Sequence, residues 1–196
     1  LDSTNIIKKP LVCAFAAISL DHVGILGNNV KEIAETKSGI IKPGASVVIG
    51  WQKPEAEAVL MEKARNAGAE IIETDKILLI RDDMNDTLRS SGGNTDAEDK
   101  PAHGNKQYTK WCFEGQRFSY KTHKNLCIKL IGRHQIETAA VALDIIDALV
   151  QKGAAVKEDD IRSGFLKARW PGRFEIIKKD GQLFVVDGAH NEDASK

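Results

Sequence analysis

Residues 11–20, LVCAFAAISL, form an unbroken apolar run, and the stretch that follows them constrains the fold more than any other. The length of the run and its Val, Phe and Ile content suit a buried strand. Asp21 and His22 are then expected at that strand's C-terminal end, where ligands sit in open α/β sheets. A helix is signed directly afterwards: Asn29 can cap it, Glu32 completes a capping box three residues on, and Gly39 follows the last turn. The expected span is 30–38. Val30, Ile33 and Ala34 occupy i, i+3 and i+4 of its apolar face, and the i+7 position falls to Lys37. An ammonium on an inward face is costly unless it is paired, loses its proton or is chemically changed. At the edge of the stripe it would instead snorkel to water, and His22 alone would be an ordinary structural histidine. The two on adjacent elements single this stretch out.

The remaining chain continues the rhythm. A polar entry, residues 1–10, clusters Asp2, Thr4 and Asn5 before the first strand and reads on its own as a capping turn. A short strand is expected at 46–50, a helix from Pro54 to Ala67 closed by Gly68, and strand-like segments at 70–73 and 76–80. Alternation of this kind indicates a mainly parallel sheet with helices packed on it. Residues 82–107, rich in Gly, Ser, Asn and Asp, read as a mobile surface insertion in which His103 is solvated. Residues 108–130 suit two or three antiparallel strands. Helices are expected at 134–152 and 158–168, the first beginning at Gly132, Arg133, His134 and Gln135. Those residues either offer free N–H groups to an anion or are plain capping. Past Pro171-Gly172, strands at 174–178 and 182–187 flank Asp180-Gly181, a strong hairpin signal.

Composition narrows the function. Lys+Arg 28 against Asp+Glu 28 gives zero net charge, which removes the electrostatic case for nucleic acid or an anionic membrane as partner. No apolar run approaches the roughly 20 residues of a membrane span. Three cysteines, Cys13, Cys112 and Cys127, show no C-x-x-C spacing, which suits a reducing cytoplasm and neither a disulfide framework nor a zinc site. The phosphate loop G-x-x-x-x-G-K-[ST], G-x-S-x-G, H-E-x-x-H and G-x-G-x-x-G are all missing from these residues.

Six motifs in order carry a resemblance: LDSTN from Leu1, LDHVGILG from Leu20, ETKSGIIKPG from Glu35, GRHQIETA from Gly132, RWPGRFE from Arg169 and DGAHN from Asp187. Together they resemble the folylpolyglutamate synthases and dihydrofolate synthases of the Mur ligase superfamily. The resemblance implies an internal fragment, with the family's phosphate loop before Leu1. Its fold would be α/β, a mainly parallel sheet flanked by helices, belonging to the central ATPase domain over 1–170. The opening hairpin of a C-terminal Rossmann-like domain would occupy 171–196. The implied reaction adds L-glutamate to dihydropteroate or folate through an acyl phosphate, with ATP and Mg²⁺, in a cytoplasmic monomer whose partners are small molecules. Residues 1–196 alone are expected to be inactive. Another Mur-type amino-acid ligase, or a non-catalytic binding module lacking the phosphate loop, are the alternatives.

By the same resemblance His22 would be a metal ligand, alongside oxygen ligands that Mg²⁺ prefers. Lys37 matches the lysine that the family carbamylates, which would turn an awkward inward cation into an anion. Arg173 would meet the nucleotide phosphates, Asp187 its sugar region with the catalytic candidate His190 close by, and Asp2 the pterin-side pocket. Thr138 stands where the family has asparagine, so a shorter hydroxyl replaces an amide that both donates to and accepts from adenine.

Overall fold

The computed structural model describes residues 3–20, 24–75, 77–82 and 115–189. Asp2, His22, His190 and the expected insertion from residue 83 onward lie outside them. Three parallel strands, β1 (Val12–Phe15), β2 (Ser46–Ile49) and β3 (Glu70–Glu73), pair in that order, with Val12 opposite Ser46 and Ser46 opposite Glu70. Every residue of the central β2 is buried, as a strand covered on both faces requires. Helices α1 (Val30–Lys37) and α2 (Pro54–Asn66) lie on one face. There Ile33, Ala34, Ala56, Leu60 and Ala64 close over Cys13, Phe15, Val47 and Ile49. The Cys13 thiol is sealed in this layer, donating to the carbonyl of Ile40 at 3.2 Å, and burial pushes its pKa up.

The run 11–20 is a strand only as far as Phe15, because its partner β2 ends at Ile49. The segment at 76–80 also departs from expectation. It becomes β4 (Leu78–Asp82), which joins β5 (Gln116–Tyr120) and β6 (His123–Ile128) in a separate antiparallel sheet. Only residues 74–77 separate β3 from β4, and a parallel crossover needs roughly ten or more.

Helix α3 (Arg133–Gln151) is shared by the two sheets. One side presents Ile136, Ala139, Ala140 and Leu143 to Phe118, Tyr120, Leu126 and Ile128, joined by Ile161 of α4 (Glu158–Lys167). Phe165 of α4 meets Phe118 edge-to-face at 5.8 Å. The other side of α3 reaches the C-terminal end of β2. A Cβ on Gly50 would stand 2.8 Å from Val141 Cγ2, so only glycine permits that approach. A polar knot ties the same helix: Asp144, 1% exposed, accepts from Tyr120 Oη at 2.7 Å and from Lys121 Nζ at 2.6 Å. Tyr120 Oη in turn accepts the Asp75 N–H at 2.9 Å, just past β3. Burial and the Asp144 carboxylate push the Tyr120 phenol up to about 12, so it remains a donor. Burial alone would lower the Lys121 pKa, but the bonds to Asp144 and Tyr120 outweigh it and the net shift is upward.

The hairpin of β7 (Glu175–Lys179) and β8 (Gln182–Val186) forms as expected, with Asp180 at φ 51° and Gly181 at φ 77° in the turn. Among the described residues its strands pair only with each other.

Two stability predictions arise. Tyr120→Phe should cost about 1.5–3 kcal/mol, the range for a hydrogen bond to a charged group. The readout is a lowered urea midpoint at constant m, and an unchanged midpoint would refute the role given to the knot. His123 holds Nδ1 2.8 Å from Glu158 and Nε2 3.1 Å from Asp147. Burial lowers its pKa, but the two carboxylates outweigh burial and raise it above 6.5. A raised histidine stabilises fully below its unfolded pKa and ceases to as pH passes the folded one. The urea midpoint should therefore fall as pH climbs from 6.5 through the raised value, and Glu158→Gln should flatten that slope.

Candidate functional site

The C-terminal ends of the parallel strands are where the site-bearing loops leave the sheet. After Phe15 the chain has no strand to pair with, and the side chain of Gln52 substitutes for one. Its Oε1 accepts the Ile18 N–H at 2.9 Å, while Nε2 donates to the carbonyls of Ala16 at 2.9 Å and Phe15 at 3.4 Å. One carboxamide thus carries the pairing three residues past the strand, toward Asp21 and His22. Gln52 stands three residues past the buried strand Ser46–Ile49, and no local periodicity marks its reach to Ile18.

The capping box of α1 forms with a variation. Asn29 Oδ1 accepts the Glu32 N–H at 2.9 Å, but Glu32 returns to the Asn28 N–H at 2.7 Å and to the Asn29 side-chain amide at 2.7 Å. Val30, Ile33 and Ala34 are buried as the periodicity requires, and Lys37 is half-buried on the same face. It lies in the last turn, where the helix dipole favours a cation. Its ammonium has no hydrogen-bond or ion-pair partner among the described residues. The helix does not end on a left-handed Gly39 but tightens into a 3-10 turn, Ser38–Ile40.

Helix α3 starts at Gly132, φ 110°, without a side-chain cap. Gln116 Nε2 anchors the approach through the carbonyls of Leu130 at 2.7 Å and Gly132 at 3.2 Å. The His134 ring folds back so closely that a Cβ on Gly132 would meet it at 2.5 Å. The Gln135 amide lies 3.0 Å from His134 Nε2. Thr138 is exposed and its hydroxyl donates to the carbonyl of His134 at 2.9 Å, leaving lone pairs but no free proton for a ligand.

Arg173 and Asp187 are brought together at the base of the hairpin. Asp187 Oδ2 accepts the N–H of Phe174 at 2.6 Å and Oδ1 that of Ala189 at 2.7 Å, while the Gly188 N–H reaches the carbonyl of Gly172 at 2.7 Å. Phe174 sits at φ 45°, a left-handed conformation this brace helps to hold. Arg173 is exposed and lines an open cleft of about 430 Å³ whose other wall is Lys129, Leu130 and Ile131, the lead into α3. Lys37, on the α1–α2 layer, is not part of that cleft. Among the described residues no three His, Cys, Asp or Glu side chains are placed to hold a metal, and no helix is long and apolar enough to cross a membrane.

The architecture is α/β, a helix-covered parallel sheet followed by a terminal hairpin, and is consistent with part of a Mur ligase fold. No protein-family model matches it. It is 32% identical over 197 residues to the dihydrofolate synthase/folylpolyglutamate synthase of Bacillus subtilis, covering 98% of this chain and 39% of that protein. To the folylpolyglutamate synthase of Lacticaseibacillus casei it is 31% identical, covering 98% and 40%. Among solved structures, a folylpolyglutamate synthase complex with AMPPCP and folate superimposes with a TM-score of 0.75 at 31% identity, over 98% of this chain and 42% of that one. The Thermotoga maritima enzyme gives 0.71 at 28% identity, over 100% and 38%. Over nearly its whole length the chain is similar to folylpolyglutamate and dihydrofolate synthases, and it spans about two fifths of the length of these relatives.

Gln52→Leu should raise the exchange rate of the Ile18 amide by about tenfold, the worth of roughly 1.4 kcal/mol. The Val48 amide should stay protected. An Ile18 amide that exchanges no faster in the variant would show that the carboxamide does not hold the segment.

Proposed function

We propose that this chain works as part of an ATP-dependent ligase that joins L-glutamate to the carboxylate of dihydropteroate or of a folate glutamyl tail. The observation that carries the reading is similarity at 31–32% identity over 98% of the chain to relatives bearing those activities in their names. The carboxylate oxygen attacks the γ-phosphoryl group and ADP leaves. The amine of glutamate then attacks the acyl carbon and phosphate leaves. The chemistry asks for the carboxylate in line with the phosphoryl group and for fixed positive charge where negative charge spreads.

In this reading Arg173 supplies such a charge to the phosphates. Asp187 holds the turn that carries it and keeps a lone pair on each oxygen for the nucleotide's sugar. His190 follows three residues on in the sequence, and Asp2 is the candidate for the pterin-side pocket. His22 is the candidate ligand of the Mg²⁺ that accompanies ATP. Lys37 is the candidate for carbamylation, in which a neutral Nζ bonds to the carbon of CO₂ and releases a proton. Its half-buried position, without a partner for the ammonium among the described residues, supports that assignment. Residues 1–170 form a portion of the central domain and 171–196 open the next, in a cytoplasmic monomer. Thr138, with its proton spent on His134, favours a weaker adenine contact and is the one feature that speaks for a binding module.

The test is phosphate release that requires ATP, L-glutamate and dihydropteroate or folate. It is measured on the 196-residue chain and on a chain extended to its relatives' length. Only the extended chain should turn over, and Arg173→Ala should lower its kcat/KM by about 100-fold. Turnover with UDP-linked muramyl substrates alone would transfer the chain to another Mur-type ligase. Failure to bind Mg-nucleotide would leave the binding module.

A further inference from the structure

Ahead of β1 the chain makes a single 3-10 turn, Ser3–Ile6. Apolar packing does not hold this entry segment, since Ile6 is 84% exposed and Ile7 51%. A polar clasp does. Lys42, half-buried in the connection between α1 and β2, reaches across 37 residues of sequence and donates from Nζ to Asn5 Oδ1 at 2.8 Å. The same Nζ donates to the carbonyl of Gly39, in the 3-10 turn that directly follows Lys37. Asn5 packs on that turn: a Cβ on Gly39 would stand 3.7 Å from Asn5 Nδ2, in ordinary contact. The backbone under Lys42 is itself braced, its carbonyl accepting the Ala45 N–H at 3.2 Å and that of Ser38 the Ile41 N–H at 3.0 Å.

Hydrogen bonds donated by an ammonium are charge-assisted and roughly twice as strong as neutral ones. Two of them from one atom fix the entry turn against the turn after Lys37. The sheet does not need this tie, because β1 already pairs with β2 along its length and the Ser46 N–H reaches the Leu11 carbonyl at 3.0 Å. The clasp acts on the segment before the strand. In the sequence Asp2 stands directly before that turn and Lys37 directly before the other. We infer that Lys42 and Asn5 are positioning residues for the pterin-bearing substrate, setting the entry segment that carries Asp2 against the end of α1 that carries Lys37. The inference rests on the ligase reading above and adds these two residues to it.

Steady-state kinetics of the chain extended to its relatives' length test this, with dihydropteroate or folate varied at saturating ATP and then the reverse. Lys42→Met should raise KM for the pterin substrate about tenfold and leave kcat and KM for ATP within about twofold, the pattern of lost uniform binding. Asn5→Leu should raise the same KM about fivefold. Asn5→Asp keeps an acceptor for the ammonium and should stay near the unaltered chain. The double variant Lys42→Met with Asn5→Leu should be no worse than Lys42→Met alone, because both remove one contact. Should Lys42→Met not fold, Asn5→Leu decides by the same readout. A pterin KM that does not move, or a loss shared equally by both substrates, would overturn the inference and leave the ligase reading standing. No turnover by the unaltered extended chain would overturn both.

Discussion

The buried carboxylate of Asp144 is the interaction on which the two halves of this fold depend. It sits midway along α3, 1% exposed, and its two oxygens are taken by Tyr120 and Lys121 at the tip of the β5–β6 hairpin. Through Tyr120 the contact extends to the backbone of Asp75, where the parallel sheet hands over to the antiparallel one. Helix, hairpin and sheet exit are thus held by one side chain. An unpaired carboxylate at that depth would cost several kcal/mol, so each of the three elements is stabilised by the presence of the others. Lys121 accepts a left-handed backbone, φ 47°, to reach it. A glycine would fit that turn with less strain and could not make the ion pair.

That coupling has a bearing on the site. The loops after β1, β2 and β3 leave one edge of the parallel sheet, and the lead into α3 passes close to the Arg169–Arg173 motif. Because α3 is locked to both sheets, the cleft wall at Lys129–Ile131 and the strand ends are fixed in one frame. The Asp187 brace does for the hairpin base what Asp144 does for the body, using a carboxylate to saturate backbone donors in a turn that glycine and a left-handed Phe174 leave open.

Much of this was legible from local signals. The Asn29 cap, the Val30–Ile33–Ala34 stripe with Lys37 on it, Pro54 opening α2 and the Asp180-Gly181 turn all act within a few residues of themselves, and a pattern can register them. What escaped was long-range. The run 11–20 looks like one strand because its hydrophobicity is continuous, yet a strand extends only as far as its partner, and β2 ends at Ile49. Gln52, Asp144 and Tyr120 reach across 34, 24 and 45 residues to their partners Ile18, Tyr120 and Asp75, and nothing beside them in sequence announces it. Of the site, Arg173 and Asp187 were marked by motif and are adjacent in space, whereas the tie from Lys42 to Asn5 was visible only in three dimensions.

Gly50 carries a different lesson. Its missing side chain is what lets Val141 settle onto the end of β2, at a separation that a single methyl group would violate. A carbon atom added there would meet Val141 Cγ2 at 2.8 Å and the Phe15 carbonyl at 3.0 Å, so a neighbour would have to shift to admit it. The clearance of the whole assembly is therefore gauged by an atom the chain does not have, at a position where even the smallest ordinary mutation is a change in architecture rather than in chemistry.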